Sequence, residues 1–142
     1  MKKWVSVLLV MVLMVLNVGV AYGAQKPTDT VQPNFNNAGG ARADVQLSAS
    51  GTVTIELEGS LKSTATSMTI VTYIEQKIDN EWVRIDNGQP QYQWVDTVTS
   101  RSFNITHSWQ LPERGEYRVD VTFRVYGSLP TDTISQMEYV TY

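Results

Sequence analysis

The sequence predicts an all-β fold in which two antiparallel sheets pack as a sandwich, on three observations. Residues 115–127, GEYRVDVTFRVYG, alternate apolar and polar side chains with a period of two, which is typical of a half-buried strand. Similar runs recur along the chain and are separated by turn-forming residues at intervals of about 8 to 12 residues. Beyond residue 23, no segment has the period of about 3.6 residues that indicates a helix.

The N-terminal segment predicts export from the cell. Two lysines precede an apolar run at residues 4–16, and residues 21–23, Ala-Tyr-Gly, supply the small side chains that a signal peptidase recognises. This pattern predicts a secretory signal peptide over residues 1–23, cleaved after Gly23. A membrane anchor is the alternative interpretation, but the run is shorter than the roughly 20 apolar residues that cross a bilayer. We therefore expect a secreted, extracellular protein with no stable membrane anchor after cleavage.

The next segment is predicted to be a flexible leader. Residues 24–42 are rich in Pro, Asn and Gly, and Val31 and Phe35 are their sizeable apolar residues. Such a composition does not support a core. The remaining residues, 43–142, have the length of one domain and are predicted to form the β-sandwich.

Seven to eight strands are expected in this domain, separated by polar loops and turns. The strands are predicted at alternating runs near residues 45–48, 52–61, 68–78, 82–85, 90–98, 102–111, 115–127 and 133–142. Turn chemistry separates them at residues 50–51, 79–80, 86–88, 112–115 and 128–131, and residues 62–67 form a polar loop.

The run at 115–127 predicts the central strand. Its inward positions are Tyr117, Val119, Val121, Phe123 and Val125. Burying each of these gains about 1.5 to 3 kcal/mol. Tyr117 precedes residue 119 at the spacing found in the sixth strand of an immunoglobulin-type sandwich, where the Tyr hydroxyl bonds to the backbone a few residues upstream. The prediction is therefore an immunoglobulin-like sandwich. The chain has no cysteine, so it contains no disulfide.

Charge and cysteine content narrow the range of functions. The chain has a formal net charge of −3, and removal of residues 1–23 takes away two lysines and no acid, which leaves −5. An acidic mature protein without a basic tract lacks the positive charge needed to bind phosphate backbones, which excludes nucleic acid as a partner. The absence of cysteine excludes lipid attachment behind the signal peptide and fits export from a Gram-positive bacterium.

Several segments carry a resemblance to a known type of protein. They are VQLSASGTVTIELEGSL, NEWVRI, RSFNITHSWQL, RGEYRVDVTFRVYG and the terminal YVTY, within residues 45–142. In this order they resemble a family of small, uncharacterised secreted β-sandwich proteins of Gram-positive bacteria. The resemblance implies a signal peptide and a single domain. It implies no reaction, because that family has no assigned activity, and it carries no site residues over to this chain.

Catalytic, metal-binding and cofactor-binding residues are not predicted. His107 is the one histidine, and the alternation of its strand puts it on the inner face between Ile105 and Trp109, where a structural role is expected. The carboxylates are spread singly over outward positions, which does not match a metal site. We therefore expect a protein that is not an enzyme. A minor secreted hydrolase, with two carboxylates facing each other across a cleft, stays as an alternative.

The leading functional hypothesis is a non-catalytic secreted binding or structural module that contacts an unknown protein or cell-envelope component. The alternative is a small carbohydrate-binding module with an aromatic face around Tyr92 and Trp94, to which Tyr73 and Trp82 contribute. Against it stands the structural interpretation that Trp94 completes the core and Tyr92 its rim. The outward Tyr126 and Tyr139 equally suit a protein interface, where Tyr is enriched.

Overall fold

The computed structural model describes residues 34–142, which form eight β-strands and one turn of 3-10 helix, Pro90–Tyr92. The strands are β1 (Ala38–Leu47), β2 (Thr52–Leu61), β3 (Ala65–Ile78), β4 (Glu81–Arg84), β5 (Trp94–Val98), β6 (Ser102–Gln110), β7 (Glu116–Gly127) and β8 (Asp132–Thr141). The predicted signal peptide, and the predicted leader as far as residue 33, lie outside the described residues. Residues 34–142 contain no helix with the length and apolar character needed to cross a membrane.

The strands form two antiparallel sheets. A three-stranded sheet has the order β1-β2-β6, and a five-stranded sheet has the order β4-β3-β7-β8. The fifth strand of the second sheet, β5, pairs with residues 68–72 of β3, while β4 pairs with residues 75–78. The predicted all-β antiparallel sandwich without a disulfide is confirmed, and its eight strands lie within the predicted number.

The core lies between the inner faces of the two sheets, and β7 supplies its centre as predicted. All five inward side chains of β7 are at most 1% exposed. They pack beside the inward residues of β3 in the same sheet and against those of β2 in the opposite sheet, which are also buried: Val53, Ile55, Leu57, Met68, Ile70 and Ile74. Because long apolar side chains alternate with polar ones over the full length of β7, the strand has only one orientation that buries its apolar face.

The predicted leader, residues 24–42, is wrong in its last part. The strand β1 begins at Ala38, and Asn37, Ala38 and Ala41 are buried. This edge segment is built from small residues, so it lacks the alternation of large apolar side chains that marks a strand. Close packing requires small residues here, because a Cβ atom on Gly39 would overlap the Ser60 Oγ. The domain therefore starts before residue 43.

The strand predicted at residues 90–98 is also wrong in its first part. Residues Pro90–Tyr92 form the 3-10 turn, and Gln91 and Tyr92 have positive φ angles of 58° and 55°. An extended strand does not accommodate these angles. Because of this turn, β5 begins only at Trp94. The polar loop predicted at residues 62–67 is likewise shorter, because β3 begins at Ala65.

Candidate functional site

The outward-pointing side chains of β3, β4, β7 and β8 form a surface that we call the outer face. Directly paired residues of antiparallel strands point to the same side of a sheet. The register pairs Arg84 with Glu75, Glu75 with Arg118, and Arg118 with Tyr139. These four side chains therefore form a row that crosses the sheet from β4 to β8.

Two aromatic side chains from opposite edges of this sheet meet above the row. Trp82 lies on β4 and Tyr139 on β8, and their ring centroids are 5.8 Å apart with an interplanar angle of 58°. Because β3 and β7 lie between these two strands, both side chains must lean over the middle of the sheet. The guanidinium carbon of Arg118 lies 4.9 Å from the centroid of the Trp82 ring, within the range of a cation–π contact.

Arg118 is fixed at the centre of this cluster by an ion pair. Its Nε lies 2.5 Å from a carboxylate oxygen of Glu75, and the two side chains are only 22% and 12% exposed. The hydrogen bond to Glu75 raises the pKa of Arg118 above its usual value, and Tyr139 contributes in the same direction. The guanidinium is thus a permanent charge held against the indole of Trp82.

A second aromatic–cation contact extends the cluster towards the middle of β3. The guanidinium carbon of Arg84 lies 3.6 Å from the centroid of the Tyr73 ring, and Arg84 also donates to Gln93 at 3.2 Å. Burial raises the pKa of the Tyr73 hydroxyl, and the neighbouring charge of Asp120 raises it further. The Tyr73 phenol therefore stays protonated and neutral at physiological pH.

The outer face also concentrates positive charge. In residues 34–142, the cations on it are Lys77, Arg84, Arg118 and Arg124, and those elsewhere are Arg42, Lys62, Arg101 and Arg114. Most carboxylates of this part of the chain lie elsewhere, and those on the outer face are Glu75, Glu116 and Asp120. The face consequently has a slight positive balance in a chain whose formal net charge is −3.

The four aromatic residues singled out from the sequence do not share one face. Tyr73 and Trp82 lie on the outer face. Trp94 pairs with the buried Thr72, so it points between the sheets, where it packs against the core. Tyr92 is 48% exposed and lies on the 3-10 turn before β5. The aromatic face predicted around Tyr92 and Trp94 is therefore not formed, and Trp94 instead completes the core.

His107 lies on the inner face of β6, as predicted. Its Nε2 is 2.8 Å from the Asp96 Oδ2, and its ring stacks on Trp94 with centroids 4.9 Å apart. These contacts join β5 to β6 along one open side of the sandwich, which is a structural role. Residues 34–142 contain no group of three or more His, Cys, Asp or Glu side chains placed to hold a metal ion.

Sequence reasoning missed Glu75, Arg84 and Arg118 as members of a site. The period of two correctly puts each of them on the polar side of its strand. Their convergence depends on which strands are neighbours and in what register, and strand alternation carries no information on either point. The aromatic members of the cluster did have a sequence signal, because Tyr73, Trp82 and the outward Tyr139 are large aromatic residues on or near polar faces.

Comparisons with known proteins supply no further identification. No protein-family model matches the chain, and no curated protein matches it significantly. The chemistry of the outer face is therefore the basis on which a function can be inferred.

Proposed function

We propose that the protein is a non-catalytic binding module that contacts an acidic protein through its outer face. The observation that carries the proposal is the cluster of Trp82, Arg118 and Tyr139. Trp, Tyr and Arg are the residue types that most often dominate the binding energy of protein interfaces. Tyr139 is 63% exposed, so its ring is accessible to a partner.

The rigidity of the cluster supports a role in binding. Arg118 is already paired with Glu75 and packed on Trp82 before any partner arrives. A side chain that is held in place loses little conformational entropy on binding, which favours affinity. The two tilted rings and the guanidinium thus offer a preformed surface rather than one that must be ordered.

The charge distribution favours an acidic partner. The outer face has a positive balance, whereas the rest of residues 34–142 is strongly acidic. Complementary charge steers association and suppresses binding in the wrong orientation. An acidic protein surface would approach this face and be repelled by the others.

A carbohydrate-binding role has less support. A sugar ring stacks on an exposed aromatic face, but Arg84 covers one face of Tyr73, His107 stacks on Trp94, and Arg118 lies over Trp82. Among residues 34–142, no observation favours the hydrolase alternative. The protein-binding role accounts for more features of the outer face than either alternative does.

A peptide array tests the proposal directly. We expect the purified protein to bind peptides rich in Asp and Glu with aromatic residues, and not their Lys-rich counterparts. Tyr139→Ser should weaken this binding about tenfold or more, the usual loss for a central aromatic contact. Tyr126→Ser is the matched control, since Tyr126 lies on the same face about 26 Å along the sheet from Arg118. Selective binding to a glycan array instead of peptides would contradict the proposal.

The proposal includes secretion. The lysines, the apolar run of residues 4–16 and the Ala-Tyr-Gly site support an exported, extracellular protein, and the resemblance to secreted proteins of Gram-positive bacteria agrees with it. The intact mass of the protein recovered from the medium of an expressing Gram-positive host should correspond to a chain that starts at Ala24. A membrane-bound protein that retains Met1 would contradict cleavage of the signal peptide.

We further propose that the sandwich is immunoglobulin-like. In constant-type immunoglobulin domains the first, second, fourth and fifth strands share one sheet, and the third, sixth and seventh share the other. The fourth strand has no counterpart in the three-stranded sheet of this protein, because β4 and β5 both pair with β3. Strands β1, β2 and β6 correspond to the first set, and β3, β7 and β8 to the second. A crystal structure in which β8 pairs with β1 instead of β7 would exclude this relationship.

A further inference from the structure

We propose that two copies of this protein pair edge to edge through β6. The two β6 strands run antiparallel about a twofold axis at Thr106 and join the two three-stranded sheets into one continuous sheet. The contact uses the sheet opposite to the one that carries the outer face. It is therefore independent of the proposed contact with an acidic protein.

The backbone of β6 has one open side. The Leu111 N–H donates to the Gly51 carbonyl, and the Leu61 N–H donates to the Arg101 carbonyl, each at 2.9 Å. Bonded pairs alternate along an antiparallel ladder, so the odd-numbered residues of β6 bond to β2. The N–H and C=O groups of even-numbered residues, such as Thr106, point away from β2. Within residues 34–142, no strand pairs with that side of β6.

The edge at β6 lacks the features that protect the other edges of the two sheets against pairing with another chain. Sheet edges are usually protected by charged residues, proline, short length or covering groups. On β1, the Ala43 N–H donates to the Gln136 side chain, and β4 has only four residues. The strands β8 and β5 each carry a charged residue on the inward side, because Glu138 pairs with the inward Val119 and Asp96 with the inward Ile70. The nine residues of β6, SFNITHSWQ, contain no Asp, Glu, Lys, Arg or Pro.

The inner side of β6 also leaves apolar surface at the edge. Its inward side chains Phe103, Ile105, His107 and Trp109 are all only partly buried. The inward side chains of the adjacent β2, by contrast, are fully buried, with Val53, Ile55 and Leu57 at 0% exposure. The core is thus covered at β2 and incompletely covered at β6, which a further strand would complete.

The sequence of β6 is complementary to itself in this arrangement. With the twofold axis at Thr106, Phe103 lies opposite Trp109 of the second copy, and this aromatic pair occurs twice. Thr106 lies opposite Thr106 of the second copy. Aromatic pairs and Thr–Thr pairs stabilise adjacent antiparallel strands, and no like charges oppose one another. A second copy therefore fits the edge in the isologous way that twofold dimers require.

Sedimentation velocity of the purified protein tests the pairing. Because a single strand edge is a small interface, the measurement should cover about 10 µM to about 1 mM. We expect the dimer fraction to rise with concentration. Thr106→Lys should weaken association about tenfold or more, because two lysines would then face each other across the axis.

Asn104→Lys is the matched control. Within one copy, both positions lie opposite a glutamate of β2, since Thr106 pairs with Glu56 and Asn104 with Glu58. Each variant therefore places its new charge opposite a carboxylate of the monomer. In the dimer, the new side chain of Asn104→Lys would face Ser108 of the second copy, so this variant should weaken association much less than Thr106→Lys. Equal effects of the two variants would contradict the proposed register.

Amide hydrogen exchange gives a second, independent measurement. Protection at Asn104, Thr106 and Ser108 should increase with protein concentration, whereas the odd-numbered amides should be protected at every concentration. A protein that stays monomeric throughout the range, or a dimer that leaves these even-numbered amides unprotected, would overturn the proposal.

Discussion

The Tyr117 hydroxyl donates a 2.7 Å hydrogen bond to the carbonyl oxygen of Glu113, which ties the start of β7 to the turn that precedes it. The Tyr117 side chain is completely buried, and burial raises the pKa of its hydroxyl above the usual value, so the group remains a donor at physiological pH. The bond that the sequence predicted is therefore present, and it fixes the entry into the central strand.

Tyr117→Phe should remove this bond and keep the ring packing. We expect the free energy of unfolding to fall by about 0.5 to 1.5 kcal/mol, the net worth of one hydrogen bond. The Glu113 backbone lies in an exposed turn, so water can replace the lost donor and limit the penalty. Urea denaturation measures the change, with Tyr126→Phe as the control. A loss above about 3 kcal/mol would mean that the ring has moved as well.

Val119→Asp should prevent folding. Val119 is 0% exposed between the sheets, and the desolvation cost of an unpaired carboxylate there can exceed the whole stability of a domain, about 5 to 15 kcal/mol. Arg124→Asp, on the exposed side of the same strand, should change stability by less than about 1 kcal/mol. Circular dichroism and thermal melts compare the two variants. If Val119→Asp folded and Arg124→Asp did not, the inward and outward faces of β7 would be the reverse of those described.

The alternation of β7 alone predicts that Arg118→Asp is also tolerated within about 1 kcal/mol, because Arg118 lies on the same polar side of the strand as Arg124. The structure contradicts this prediction, because Arg118 is paired with Glu75 and packed on Trp82. Replacing it with Asp would bring two carboxylates together. The alternation of β7 predicts which face a residue occupies, while its neighbours on that face depend on the register with β3 and β8.

The same distinction explains which parts of the fold could be predicted. Strands β2 and β7 alternate large apolar and polar side chains, so their faces follow from the sequence. The first half of β1 could not be found, because Gly39 and Gly40 carry no apolar side chain and their strand conformation depends on contacts with β2. The start of β5 was misplaced, because positive φ angles at Gln91 and Tyr92 leave no mark in residue type.

Trp109→Ala should lower the free energy of unfolding by about 2 kcal/mol, less than the roughly 3 to 5 kcal/mol typical of a completely buried aromatic residue. Trp109 faces inward, as predicted, and pairs with Val53, but it lies on an edge strand and is only partly buried. The indole packs against Gly88, where an added Cβ atom would lie 3.2 Å from the ring. Denaturant unfolding below the concentrations that favour pairing through β6 gives the monomer value. A change under about 0.5 kcal/mol would put the indole in solvent.

Asp132 should make the stability of the domain depend on pH in acid. Its carboxylate accepts hydrogen bonds from the backbone N–H groups of Asn36, Asn37 and Ala38, at 2.9, 2.6 and 2.9 Å. Burial opposes ionisation, but these three donors and the charge of Lys62 outweigh it, so the pKa of Asp132 lies below its ordinary value of 3.8. The ionised carboxylate thus holds the chain entering β1 against the start of β8.

Because the pKa is lower in the folded protein than in the unfolded chain, this stabilisation is fully present above pH 3.8 and is lost as the pH falls through the folded-state pKa. Asp132→Asn should lower the free energy of unfolding by about 2 to 4 kcal/mol at pH 7, since an amide oxygen replaces a charged acceptor of several buried donors. The difference from the original protein should be constant between neutral pH and about pH 5 and shrink in stronger acid. Urea unfolding at pH 7, 5, 3 and 2 measures it, with the exposed Asp44→Asn as the control. A difference that persists undiminished at the lowest pH would mean that the charge of Asp132 does not stabilise this junction.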